Sequence, residues 1–239
     1  LHSLRRRQRQ MCIRDRVVTK NFVGLDGIVY SPVAFKFTKL MHEIYPELKN
    51  RLSKGNELEV KTNVFDTIPE MFFDSKPNDD FEYIQILGRQ NNDRIFKYIR
   101  KDFIFNNTNL NSYKVVLPEA NGTGAIGEVL STPLIGEPLI GEPLIGHTQT
   151  FLTIGKFDMQ IEAENCMKYV KSKFARAMLG TLKITQHNSI STWKNVPLQD
   201  FTPNSDINWK KSIPEIDQQL YAKYGLSQDE IDFIEEKVK

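Results

Sequence analysis

The sequence predicts an α+β fold: a β-rich body, one long supporting helix and two helices that close the chain. Three observations carry this prediction. Residues 81–104, "FEYIQILGRQNNDRIFKYIRKDFI", alternate apolar and polar side chains on both sides of a short Asn-rich turn, the pattern of a β-hairpin. Residues 158–182 carry Met167, Val170, Phe174, Met178 and Leu182 at three-to-four-residue spacing, the stripe of a helix that buries one face. Near the end, Ser212 with Glu215 and Ser227 with Glu230 form two capping boxes, each opening a short amphipathic helix.

Taken in chain order, "GIVYSPVAF" (27–35) reads as a short extended piece. "FKFTKLMHEIYPELKNRL" (35–52) follows as a helix that Pro46 interrupts, because its ring removes a donor and clashes with the preceding turn. Residues 54–80 are polar and turn-rich, which predicts a connection between structural units. After the hairpin, "SYKVVLP" and "QTFLTIGKF" read as strands. Asp158 is placed to cap the long helix, and Lys168, Lys171, Lys173 and Arg176 to form its solvated face. Gly225 is placed as the left-handed residue ending the first C-terminal helix, and Ile231, Ile234 and Val238 as the buried face of the second. Residues 133–146 repeat Pro-Leu-Ile-Gly three times, separated by Glu137 and Glu142. A five-residue period is too short for a solenoid unit and each proline lacks a ladder donor, so the repeat is expected to be an extended surface loop, with its Leu-Ile pairs as an alternative docking patch.

The charge balance depends on how the N-terminus is read. The chain has 32 Lys and Arg against 30 Asp and Glu, a net charge of +2, but six arginines fall within residues 5–16. Such a block can act as a phosphate-attracting arm. Back-translation of Gln10–Asp15 as CAG ATG TGT ATA AGA GAC instead resembles a transposon mosaic end used in library preparation, so residues 1–16 are expected to be a disordered tail foreign to the fold. Without it the balance is 26 against 29, a net of −3, and any affinity for nucleic acid has to come from local placement of charge. Two cysteines rule out a disulfide framework, no apolar run reaches membrane-spanning length, and the four histidines lack zinc-ligand spacing; a cytoplasmic protein with no bound metal and no membrane partner is expected.

The chemistry-bearing residues concentrate in two stretches. Between 88 and 114, Arg89, Arg94, Lys97, Arg100, Lys101 and Lys114 are interleaved with Tyr98, Phe103 and Tyr113, and Asn91, Asn92, Asn106 and Asn107 occupy turns. Arginine forks suit guanine edges, asparagine suits adenine, and lysine suits phosphate. The same residues could equally form the wet face of a hairpin. The second stretch, "KITQHNSISTWKN", holds Lys183, Gln186, His187 and Lys194, with no acid or nucleophile to make His187 a catalytic base. "GTGAIG" (122–127) matches a dinucleotide-binding glycine pattern, yet Pro133 precludes the helix that pattern needs; a glycine loop approaching a phosphate is the better reading, with Asn121 beside it.

In order, "FEYIQILGRQNNDRIFKYIRKDFI", "YKVVLPEANGTGAIGE", "GHTQTFLTIGKFDMQIEAENCMKYVKSKFARAML", "TQHN…TWKNVPLQDF" and "IPEIDQQLYAKYGLSQDEIDFIEE" resemble the C-terminal target recognition region of bacterial adenine-specific DNA methyltransferases of restriction-modification systems, of the fused type IIG-like kind. The resemblance implies a target recognition domain over 60–205, a helical pair over 206–239, and a remnant of the preceding domain over 17–59. It also implies double-stranded DNA as partner. The family's F-x-G-x-G turn for S-adenosylmethionine and its Asn/Asp-Pro-Pro-aromatic motif for the flipped adenine are not found, so no catalytic or cofactor residue carries over, and the catalytic domain and its S-adenosylmethionine are expected upstream. Arg89, Arg94, Arg100 and Lys114 are then expected near phosphates or guanine, and Asn92, Asn121, Gln149 and Gln186 at base edges. The alternative function is a protein-interaction module without DNA contact.

Overall fold

The computed structural model describes residues 11–18, 23–105, 108–120, 137–183 and 185–238, and its fold is α+β. A helix over residues 11–18 (α1) opens it. The strands are β1 (Val29–Tyr30), β2 (Lys36–Phe37), β3 (Tyr83–Gln90), β4 (Asp93–Arg100), β5 (Ile104–Phe105), β6 (Tyr113–Pro118), β7 (Leu139–Gly141), β8 (Ile145–His147) and β9 (Phe151–Phe157). The remaining helices are α2 (Lys39–Ile44), α3 (Val64–Thr67), α4 (Gln160–Lys171), α5 (Lys173–Leu179), α6 (Ile213–Tyr224) and α7 (Gln228–Lys237). One sheet has the order β1-β9-β6-β7 and a second β4-β3-β8, with β2 and β5 forming a separate pair.

Two hydrophobic cores follow from this topology. In the first, Val115, Leu117, Leu152 and Ile154 of the four-stranded sheet meet Tyr169, Phe174 and Met178 of α4 and α5 and Ile216, Leu220 and Ile234 of α6 and α7. In the second, Phe35, Phe37 and Met41 pack with Phe65, Ile68, Ile84, Ile86, Ile99 and Phe103. Leu87, Val116 and Phe151 form a small cluster between the sheets. The packing therefore joins residues 35–52 to the hairpin and joins the C-terminal helices to the four-stranded sheet.

The hairpin, the strands at 113–118 and 151–157, and both C-terminal helices form as expected. Asn91 and Asn92 take φ of 51° and 68°, the two left-handed positions of a type I′ turn, which asparagine tolerates better than most residues. Glu215 and Glu230 accept from the backbone N–H of Ser212 and Ser227, closing the capping boxes, and Gly225 ends α6 at φ 64°.

Four expectations are corrected. The long helix is two: Ser172 is extended, its hydroxyl accepts from Ala175 N at 3.2 Å, and buried Asp217 of α6 accepts from Lys173 N and Phe174 N at 3.1 and 2.8 Å. These bonds satisfy free N–H groups of a new helix start, so the chain breaks there without leaving buried donors unpaired. Its beginning also differs, since Met159 and not Asp158 takes the N-cap position, with Glu162 accepting from Met159 N. Residues 54–80 are more than a connection: α3 and the turn after it place Val60, Val64, Phe65, Ile68, Met71 and Phe72 in the second core. Of the expected disordered tail, residues 1–10 lie outside the described residues, but 11–18 are helical, with Ile13 and Val17 buried in the first core and Arg16 donating to Glu230.

The fourth correction is the repeat. Its first copy lies outside the described residues, but the second and third run into the edge strands β7 and β8, one in each sheet. Leu139 packs into the cluster between the sheets and Ile140 against the first core, so this Leu-Ile pair is not a free docking patch. The glycines are there for close approach. A Cβ on Gly141 would meet Val116 and Lys114 at 2.9–3.0 Å, and one on Gly146 would meet Ile86 and Phe35 at 2.8–2.9 Å.

Gly146→Ala is predicted to lower stability by about 1–3 kcal/mol through overpacking, whereas Gly27→Ala, whose Cβ meets nothing within 4 Å, changes it little; urea unfolding of both variants checks this. A second prediction concerns Asp217. Burial raises its carboxyl to about 6 against the lowering effect of its two backbone donors, so between about pH 4 and 6 the native state binds more protons than the unfolded chain and stability falls as pH rises. The loss caused by Asp217→Ala should be larger at pH 4.5 than at pH 7.5, as measured by urea unfolding at the two pH values.

Candidate nucleic-acid interface

The hairpin register sorts its side chains between two faces. Directly opposed residues share a face, so Ile84, Ile86, Gly88, Ile95, Lys97 and Ile99 look toward the second core, while Gln85, Leu87, Arg89, Arg94, Phe96, Tyr98 and Arg100 occupy the other side. Along β4 this second face reads Arg94, Phe96, Tyr98, Arg100 at every other residue. The sequence reading missed Phe96, although the period-two alternation that predicts the strand also places it beside Arg94 on the outer face.

Arg89 and Arg94 face each other directly across the strands, next to the Asn91–Asn92 turn. Arg94 Nη1 donates to the Glu137 carbonyl at 2.7 Å and its guanidinium lies 5.7 Å from the Phe151 ring centre. Burial and then the Arg89 charge lower its pKa, with Glu137 opposing them. Arg89 is exposed, and its side chain has no hydrogen bond or ion pair among the described residues. Like charges directly opposed in a sheet destabilise it, and of the two only Arg94 feels a nearby carboxylate, that of Glu137.

A second group lies nearby. Pro118, at the end of β6, pairs with Phe151, the ring beneath Arg94, and Glu119 N then donates to Thr150 O at 2.8 Å. The Glu119 carboxylate accepts from His187 Nδ1 at 2.9 and 3.0 Å, and the His187 side chain is exposed. Asn188 Nδ2 donates to Pro118 O at 3.0 Å and fixes the loop carrying His187. Gln186 is exposed beside it. Buried Lys183 feels the Glu119 charge, but burial outweighs it and lowers the ammonium to about 8.

The other sequence candidates are placed elsewhere. Lys97 is on the inner face, bonded to Asp74 at 2.8 Å and 5.9 Å from the Phe65 ring centre. Arg100 is held by Asp102 through bonds of 3.0 and 2.5 Å and stacks on Phe81 and Phe103 at 3.5 and 4.3 Å. Lys101 pairs with Glu82, and Gln149 donates to Glu59. Lys194 is exposed on a different loop, and Asn121 with "GTGAIG" lies outside the described residues. Lys114 is corrected outright: it is fully buried, its Nζ donates to the carbonyls of Asn109, Leu110, Ser112 and Glu142 at 3.0–3.4 Å, and it cannot reach a phosphate. An open depression of about 510 Å³ is lined by Lys101 with Asp80, Glu82 and Asp102, of which Glu82 and Asp102 pair with Lys101 and Arg100.

Among the described residues no helix is long and apolar enough to cross a membrane, and no group of three or more His, Cys, Asp or Glu could hold a metal ion. The chain matches no family model, no curated protein and no solved structure.

Removing Arg89 relieves the opposed charge. Arg89→Ala is predicted to raise the thermal midpoint by about 1–2 °C at low salt, with the gain shrinking as salt screens the pair; calorimetry at two salt concentrations reads both effects.

Proposed function

We propose that the chain recognises a sequence in double-stranded DNA on behalf of an adenine-specific methyltransferase of a restriction-modification system, with the transfer chemistry and S-adenosylmethionine held outside these residues. The observation that carries the reading is the end of the hairpin: two arginines face one another, Arg89 having no acid partner among the described residues, around a turn of two exposed asparagines. A two-stranded β-ribbon fits the major groove. Arg89 and Arg94 present forks suited to guanine or phosphate, and Asn91 and Asn92 present amides suited to adenine. His187 and Gln186 lie on the neighbouring loop and extend the polar surface beyond the ribbon. Arg100, Lys101 and Lys97 belong to internal ion pairs and contribute little to such a surface, because their charge is already met by Asp102, Glu82 and Asp74.

The test is duplex binding as a function of salt. In a gel shift, replacing Arg89 and Arg94 together by alanine is predicted to reduce the slope of log K against log salt by about 2, close to 0.9 for each phosphate lost. Arg100→Ala should leave that slope unchanged and lower stability instead, since its guanidinium is sandwiched between two rings. A wild-type protein that does not bind duplex at low salt would remove the reading and favour a protein-interaction module.

A further inference from the structure

We propose that the outer face of the hairpin also takes unpaired nucleotides, with bases stacking on Phe96 and Tyr98 beside Phe73 and phosphates held by Arg89 and Arg94. The inference rests on the reading of the chain as a nucleic-acid-binding module and names a second kind of strand that the same hairpin accepts. Phe96 and Phe73 are each 39% exposed, an unusual placement for two phenylalanines on one sheet face. Their positions are fixed. Tyr98 N donates to Phe73 O at 2.7 Å and Phe73 N to Tyr98 O at 2.9 Å, so Phe73 extends the sheet beside Tyr98. Phe73 also meets Tyr83 edge-on at 6.0 Å. Phe96 follows one pleat further along β4, about 7 Å from Tyr98 at ~3.3 Å per residue, and Arg94 one pleat beyond that.

Charge complementarity selects the occupant. An apolar protein partner would cover the rings but bring no anion to Arg89 and Arg94, whereas a nucleic acid brings both a flat π-face and an anion to the same row. Duplex bases cannot stack on these rings, because their faces are occupied within the helix, so the aromatic row requires unpaired nucleotides. Such stacking is tolerant of sequence, and the arginines supply the dependence on salt.

The experiment compares fluorescence anisotropy of labelled oligo(dT), about 12 nucleotides long, with that of a labelled duplex, using the full chain. Phe96→Leu keeps an apolar side chain of similar bulk and removes the ring. It is predicted to weaken oligo(dT) binding about 10-fold, within the range set by losing one stacked base, while duplex binding and the thermal midpoint stay as in the wild type. Phe96→Tyr should restore oligo(dT) binding. Wild-type duplex binding with oligo(dT) binding absent, or unchanged by Phe96→Leu, overturns this inference and leaves the duplex reading standing. Loss of both ligands in the wild type removes both. Equal binding of polyglutamate, insensitive to Phe96→Leu, would show a site for acidic polymers in general and also overturn the inference.

Discussion

The buried ammonium of Lys114 is the interaction on which the arrangement of the two sheets depends. Its Nζ donates to Asn109, Leu110 and Ser112 in the turn before β6 and to Glu142 between β7 and β8. Taking a charge out of water is costly unless dipoles replace the lost hydration, and here four carbonyl oxygens offset only part of that cost. Burial lowers the ammonium to about 7, against an ordinary value of 10.5. Leu144 N donates to Leu110 O at 2.8 Å beside it, so the chain between the two repeat copies is pinned to the turn. From that pin one copy runs into the four-stranded sheet and the other into the hairpin sheet.

The geometry of the surface follows from this joint. Because β8 adds to β3 in parallel and β7 to β6, the sheets are brought close enough for Leu87, Val116 and Phe151 to seal the space between them. Phe151 then supports Arg94 from below, and the strand pairing of Pro118 with Phe151 carries Glu119 and His187 toward the same end of the hairpin. The hairpin keeps one face in the second core and leaves the other partly open, with two arginines at one end and aromatic rings along it. Most other cations of this region are consumed by internal pairs. The net charge of the chain is therefore a poor guide to its surface potential, which is decided by the few charges that lack partners.

Much of this was legible in the sequence, and the boundary is physical. The hairpin was legible because alternation and an Asn-Asn turn are local signals, and the C-terminal helices because a capping box lies within four residues. Lys114 was not, since a lysine at an alternating strand position reads as solvated and its carbonyl ligands include Glu142, 28 residues away. The break at Ser172 depends on Asp217, more than 40 residues on. The Arg100–Asp102 pair is nearly adjacent in sequence, but Lys97–Asp74 and Lys101–Glu82 form only through the fold. Of the cations expected at the surface, Lys114 is buried and Lys97 and Lys101 are paired, which a reading of composition along the hairpin does not distinguish from free charges. Phe96 is not distinguished by composition, since only the period-two register of β4 places it on the same face as Arg94.

Titration of Lys114, followed through its ¹³Cε resonance, tests the central claim most directly. A joint built on a buried ammonium predicts a midpoint near 7, far below that of a solvated lysine. A midpoint at the ordinary value of about 10.4 would show that the side chain lies in water and that the two sheets are held together by something else.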